Sequence, residues 1–195
     1  MSHPMPSRPI PRPFSRLISP RLIIRRFRIG DLKAFVAYRK DPEVARFQSW
    51  DNYTAAQAKV LLQQQRKLQP GKPGKWVQFA IEQKSTKALI GDCALKVEGR
   101  EHPQGELGFT LAGAAQGQGL GGEAVTALLD YAFGKLHLHR ITALTDCRNR
   151  PAAKLLERLG FHREGHFLRS GFFKGEWCDE YLFAMLASEW LMAKD

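Results

Sequence analysis

Between Gln116 and Gly122 the chain reads Gln-Gly-Gln-Gly-Leu-Gly-Gly, four glycines in seven residues, and this run leads into a long amphipathic stretch. No other feature constrains the fold as much. Glycine is a poor helix former, so several at a helix start need a reason other than helix stability. Without a Cβ the backbone can come close to a ligand. A helix N-terminus presents unpaired N–H groups and the positive end of its dipole. Together these make an anion site suited to a phosphate or pyrophosphate. The helix is expected over about 123–136, with Val125, Leu128, Leu129, Ala132, Phe133 and Leu136 as its buried stripe.

The elements around this cluster decide among the known phosphate motifs. Residues 21–28 form a strand with Leu22 and Ile24 on one side and Ile23 and Arg25 on the other. Gly30-Asp31 opens a helix through Tyr38, which Asp41-Pro42 breaks. Thr54 caps a polar helix running to about Leu68. The loop at 70–74 precedes strands at 76–83, 88–97 and 106–111. Beyond the glycines come a strand at 140–145, a helix at 151–159 ended by Gly160, strands at 161–168 and 177–185, and a last turn at 189–193. Hairpins with a few crossover helices imply a mixed sheet in an α+β domain. Gly117, Gly119 and Gly122 match the dinucleotide pattern GxGxxG, with Asp146 near the distance of a ribose-binding acid. In that fold the motif follows its strand almost directly, whereas here residues 112–115 intervene and several strands precede it. A P-loop fails because no Gly-Lys-Ser/Thr follows. A plain flexible loop is the remaining alternative.

With 195 residues the chain has room for one domain, and 44% apolar with 25% charged residues is ordinary for a globular protein. Residues 1–19, rich in proline and arginine, are expected to be a disordered basic arm, and 20–195 the single domain. The arm lacks the apolar core of a secretory signal and no run is long enough to span a membrane, so a cytoplasmic protein is expected. Cys93, Cys147 and Cys178 are too widely spaced for a zinc pattern, so no metal is expected and all three read as small buried hydrophobes. The net charge is +11, with Arg8, Arg12, Arg16, Arg21, Arg25, Arg26 and Arg28 ahead of the first acid, Asp31. Such a segment can meet RNA, a ribosome or an acidic protein, or can be a solvated tail running into a strand.

Four pieces carry a family resemblance: Glu106-Leu-Gly-Phe-Thr-Leu111, Gln116 through Ala124, His139-Arg140-Ile141, and Asn149 with Leu156-Glu-Arg-Leu-Gly-Phe161. In this order and spacing they resemble the cofactor-binding core of the GNAT superfamily of N-acyltransferases, with Gln116, Gly119 and Gly121 matching its Gln/Arg-x-x-Gly-x-Gly/Ala pattern. Arg21-Leu22 and Asp41-Pro42-Glu43-Val44 are also similar to that superfamily, and the branch most resembled is the ribosomal-protein N-terminal acetyltransferase type. The resemblance implies a mixed, mostly antiparallel twisted sheet of about seven strands, flanked by helices and splayed at the cofactor site. It also implies acetyl-CoA as cofactor. Gln116, Gly117 and the backbone of Gln118, Gly119, Leu120, Gly121 and Gly122 would cradle the pyrophosphate. Phe109, Thr110 and Leu111 would offer a strand edge to the pantetheine arm. Asn149 would contact the cofactor, and Lys154 is either a phosphate partner or part of a solvated helix face.

Direct transfer requires an amine to lose a proton before it attacks a thioester carbonyl, and a base supplies about 10²–10⁴-fold of the rate. Glu106, at the start of the strand that would carry the pantetheine edge, is the candidate base, since the branch has a glutamate there. The alternative is a structural carboxylate pairing an arginine. His137, His139 and His166 have suitable intrinsic pKa values. Many family members carry a tyrosine where Leu156 stands, and the branch often has a serine where Ala152 stands, so both usual partners of the departing thiolate are missing. The function implied is acetyl transfer from acetyl-CoA to a primary amine, on a protein N-terminus or a small molecule. A non-catalytic acyl-CoA-binding module and a ribosome- or RNA-associated protein stay open, as does a homodimer. Trp50 and Tyr53, in the loop at 47–53, are either acceptor-pocket walls or plain core.

Overall fold

The structure, a computed structural model, describes residues 14–99 and 101–193. Among them lies one eight-stranded sheet of β1 (Arg16–Ile18), β2 (Leu22–Arg25), β3 (Trp76–Gln83), β4 (Leu89–Glu98), β5 (Gln104–Leu111), β6 (Arg140–Asp146), β7 (His162–Phe173) and β8 (Glu176–Leu186). The order across the sheet is β1-β2-β3-β4-β5-β6-β8-β7. Every pairing is antiparallel except β5 with β6. A parallel neighbour needs a crossover, and α4 (Leu120–Gly134) supplies it. The remaining helices are α1 (Leu32–Lys40), α2 (Pro42–Ala45), α3 (Ala55–Gln65), α5 (Arg150–Arg158) and α6 (Ala187–Met192).

Strand alternation splits the apolar residues between two cores. Phe79, Ile81, Leu95, Leu107, Ile141 and Phe183 face α4 and α5, where Val125, Leu128, Leu129, Ala132, Phe133 and Leu156 meet them. Ala80 faces the other way, toward α1–α3, and packs with Phe35, Tyr38, Tyr53, Ala58 and Leu62. The helix capped by Thr54 carries a full capping box with Gln57, though it ends at Gln65. Gly160 ends the fifth helix in the left-handed region, at φ +89°.

The structure corrects several expectations. Residues 14–19 do not belong to a disordered arm. Phe14 is buried against Phe79 and Tyr131, with ring centroids 4.8 and 5.3 Å away. β1 then adds an eighth strand where about seven were expected. Residues 1–13 of the arm lie outside the described residues. Asp41-Pro42 does end α1, but it also starts α2, because proline suits a first helical position and Asp41 Oδ1 accepts the Glu43 N–H. The basic strand is not a free electropositive surface. Arg25 is 5% exposed and donates to Asp31 at 2.7 and 2.9 Å and to Glu82 at 2.7 Å. Arg28 also pairs with Glu82, and Arg21 with Glu123. Cys93 and Cys178 are buried while Cys147 is half-buried.

Candidate functional site

β5 and β6 pair over three residues only, Gln104 with Arg140, Gly105 with Ile141 and Glu106 with Thr142. Past that point the strands part, and among the described residues no strand pairs with the β6-facing edge of residues 107–111. A cleft of about 1350 Å³ opens there. Its walls are the end of β5, the glycine turn, the start and exposed face of α5, and a rim from α2 and the residues after it.

The turn is built from backbone. After a 3-10 turn at Gly113–Ala115, Gly117 and Gly119 both lie in the left-handed region, at φ +72° and +75°, which glycine adopts without a Cβ penalty. Gly119 is the N-cap of α4 and offers no side chain to the helix start. The N–H groups of Leu120, Gly121 and Gly122 therefore stand uncapped at the positive end of a 15-residue helix. The helix begins at Leu120, three residues earlier than its apolar stripe indicates, so half of the glycine cluster is its first turn. Gln116 and Gln118 turn their side-chain amides inward, donating to Leu111 O at 3.0 Å and Ala114 O at 2.7 Å, and so brace the loop. Arg21 donates to Gln118 O at 3.0 Å and to Glu123 at 2.7 Å. Burial pushes the Glu123 carboxyl up, but bonds from Ser19 and Arg21 outweigh it and hold the group below its ordinary value.

Glycines at 121 and 122 do different things. A Cβ on Gly121 would meet Leu155 Cδ1 at 3.0 Å and Leu111 Cδ1 at 3.3 Å, so this glycine lets α4 approach α5 and β5. A Cβ on Gly122 would meet nothing within 4 Å, and Gly122 lines the cleft. Opposite the turn, Asn149 caps α5 by accepting the Ala152 N–H at 3.3 Å, which leaves its NH₂ group for the cleft. Lys154, Arg150 and Arg158 line the same wall. Arg148 is committed to Asp146 and Glu176, and it fixes the chain as it enters α5.

Phe109, Thr110, Leu111, Gln116, Gly117, Gly119, Gly121, Gly122, Asn149 and Lys154 therefore share one cleft. Leu120 is buried beneath it. Sequence reasoning placed the loop at 47–53 near an acceptor but gave no site role to Glu43 and Arg46, which stand with Phe47 on the far wall. The Pro at the start of α2 was the available signal. This wall is fastened by Lys174 at the tip of the β7–β8 hairpin, which donates to Ala45 O at 2.8 Å and pairs with Asp51 at 2.9 Å. The residues fit a coenzyme pyrophosphate: an uncapped helix start, left-handed glycines and cationic side chains across the gap supply donors without a competing carboxylate cap.

Trp50 and Tyr53 do not line the cleft. Both pack on the Arg39 guanidinium, whose centre lies 4.0 and 5.0 Å from their rings. Tyr53 is buried in the α1–α3 core, while Trp50 is half-buried against it. His137 and His139 are exposed at the corner before β6, and His166 is exposed on β7 beside Asp179. Leu156 is 1% exposed in the core, and among the cleft-lining residues Thr110 alone carries a hydroxyl.

Glu106 is half-buried at the last paired position of β5, where the two strands begin to part. It has no hydrogen bond or ion pair among the described residues, so no arginine holds it. Burial raises its carboxyl pKa, Lys96 opposes the rise, and Glu98 and Glu180 add to it. A carboxylate displaced upward in this way is a better proton acceptor than a solvated one.

The sequence matches the model of the acetyltransferase (GNAT) domain over residues 21–162. It is 33% identical over 175 residues to the uncharacterized N-acetyltransferase p20 of Bacillus licheniformis, covering 89% of this chain and 97% of that one. Over 84 residues, 43% of each chain, it is 37% identical to the ribosomal protein uS5 alanine N-acetyltransferase of Escherichia coli. A GNAT-family acetyltransferase structure from Bacillus anthracis superposes with a TM-score of 0.79 at 27% identity, over 89% of this chain and 99% of that one. The spermidine N-acetyltransferase of Vibrio cholerae, solved with CoA and spermine, gives a TM-score of 0.76 at 25% identity, over 88% and 98%.

Proposed function

The chain belongs to the GNAT family of acetyltransferases, which use acetyl-CoA, and from that premise we propose that it acetylates a primary amine, on a protein N-terminus or a small molecule, with Glu106 as the base. The observation that carries this reading is the three-residue pairing of β5 with β6. It opens the sheet between an uncapped helix start and a half-buried carboxylate without an ion pair among the described residues. Acetyl-CoA supplies the acetyl group as an activated thioester. The N–H groups of Leu120, Gly121 and Gly122 would hold its pyrophosphate, with Lys154 and Asn149 across the cleft, and the free edge at Phe109, Thr110 and Leu111 would align the arm. Glu106 would accept the proton that the amine gives up as its nitrogen bonds to the acetyl carbon and the C–S bond breaks. With Leu156 buried and Ala152 in the wall, neither of these two positions supplies a side-chain acid to the departing sulfur. A thiol's pKa near ~8.5 makes such an acid dispensable.

A second reading is favoured by one observation, the scarcity of hydroxyls in the cleft: a non-catalytic acyl-CoA-binding module. Turnover separates the two. CoA should raise the melting temperature and bind in calorimetry, because a ligand specific for the native state stabilises it, whereas NAD should do neither. Thioester release should then appear with a member of a panel of peptides, polyamines, amino acids and aminoglycosides. NAD binding without CoA binding would sink both readings. CoA binding with no release across the panel would favour the second.

A further inference from the structure

The face of the sheet away from α4 and α5 has a gap at one position. In register across β3, β4 and β5 stand Gln78, Ala94 and Gly108. The row on one side is Trp76, Lys96 and Glu106, and on the other Ala80, Asp92 and Thr110. The Ala80 row is covered: Asp92 accepts from the Tyr38 hydroxyl and the Arg39 guanidinium of α1. The Gly108 row is covered at Ala94, which is buried, and at Gln78, whose N–H binds Gln65 of α3, but not at Gly108 itself. A Cβ built on Gly108 would meet nothing within 4 Å. Gly108 is also the second residue past the last β5–β6 pair, so no strand stands beside it on the β6 side.

Its backbone gives no reason for a glycine, since Gly108 lies outside the left-handed region. Nor does packing, since a side chain there would enter open space rather than a neighbour. Both usual structural causes are therefore absent. The space lies between Glu106 and the Tyr38–Asp92 pair, on the opposite face from Phe109, whose side chain packs toward the α4 core. The charged groups around it are Glu106, Lys96 opposite it in register and paired with Glu98, and Glu180; burial raises the Glu106 pKa most, Lys96 lowers it, and Glu98 and Glu180 raise it.

We propose that the acceptor crosses the sheet over Gly108, and that the missing side chain there sets the bulk of the ammonium-bearing acceptor that can reach Glu106. The inference rests on the acetyltransferase reading above. An ammonium suits Glu106 because that carboxylate has no hydrogen bond or ion pair among the described residues, and Lys96, which stands opposite it, is paired with Glu98. Gly108 is then a specificity residue on the acceptor side, outside the walls of the CoA cleft.

The test compares wild type with Gly108→Ala and Gly108→Val, using spermidine and a peptide with an N-terminal alanine as the two acceptor probes. The added Cβ meets nothing within 4 Å and valine is favoured in strands, so both variants should melt cooperatively at or above the wild-type temperature. CoA affinity in calorimetry should stay within about twofold, since the phosphate site is untouched. For the probe that wild type uses, kcat/KM should fall in the order Gly, Ala, Val, by roughly tenfold or more at valine, mainly through the acceptor KM. The probe that works identifies whether a polyamine or a peptide N-terminus is the source of the ammonium. Wild-type acceptor kinetics in a folded Gly108→Val protein would overturn the inference. So would CoA binding by wild type with neither probe acetylated, which removes the assigned acceptor class. Failure of wild type to bind CoA would instead bring down the acetyltransferase reading itself.

Discussion

At the scale of single residues, Glu106 separates chemistry from architecture. A carboxylate that held an arginine would contribute stability, and its loss would lower the melting temperature. Glu106 has no such partner, and burial raises its pKa. A carboxyl group whose folded-state pKa lies above its unfolded value contributes stability at low pH, and that contribution is lost as pH rises through the folded pKa. At neutral pH the charged form is therefore the unfavourable one, and Glu106→Gln should melt no lower than wild type. Its advantage should grow as pH rises through the carboxyl range and then level off. Turnover per folded molecule should nonetheless fall by roughly 10²–10⁴, with CoA affinity unchanged. Wild-type kcat/KM should rise with pH as base and amine deprotonate, and high pH should partly rescue the variant. Full activity in a folded Glu106→Gln protein would remove this residue from the mechanism and leave water, or a histidine such as His166, as the next candidate.

At the scale of elements, the start of α4 serves two purposes that a substitution can separate. Gly121 keeps α4 close to α5 and β5, so a valine there would strain Leu155 and Leu111 before it touched any ligand. Gly122 is the cleaner probe, because its Cβ position is open and faces the cleft. Gly122→Asp places a carboxylate in the first turn, where helix propensity and the dipole both favour it over glycine. The variant should fold with an equal or higher melting temperature. CoA binding should weaken at least tenfold, about 1.4 kcal/mol, because the new charge faces the pyrophosphate position. Unchanged affinity in calorimetry would move the phosphate site away from this helix.

At the scale of the whole molecule, the N-terminal segment is part of the core from Phe14 onward. Phe14 bridges Phe79 of β3 and Tyr131 of α4, and Ser19 and Arg21 bind Glu123 at the head of the same helix. Phe14→Ala should cost about 3 kcal/mol, as truncation of buried aromatic rings does. Deleting residues 1–19 should lower the melting temperature further by removing β1 and the Ser19 bond as well. A truncated protein that melts like the full chain would show that β1 contributes nothing to stability. The basic character of this region is also a matter of the whole fold. Arg21, Arg25 and Arg28 are matched by Glu123, Asp31 and Glu82, so the RNA-binding reading loses three of the charges it was built on.

What the sequence by itself determined was local: the glycine cluster running into a long amphipathic helix, the Thr54 cap, the strands β3 to β5, and Glu106 at the head of a glycine-flanked strand. Each follows from spacing within a few residues, where backbone preference and period-2 or period-3.6 burial leave little choice. The tertiary structure alone decided the long-range matters. It paired Arg25 with Glu82 across 57 positions of chain, stacked Trp50 and Tyr53 on Arg39, and brought Arg46 and Phe47 to the far wall of the cleft. It also stopped the β5–β6 ladder after three residues, leaving Gly108 beside open space. No window of sequence carries such information, because a side chain's partner is set by which strands and helices become neighbours, and that is fixed only when the whole sheet closes on both of its cores.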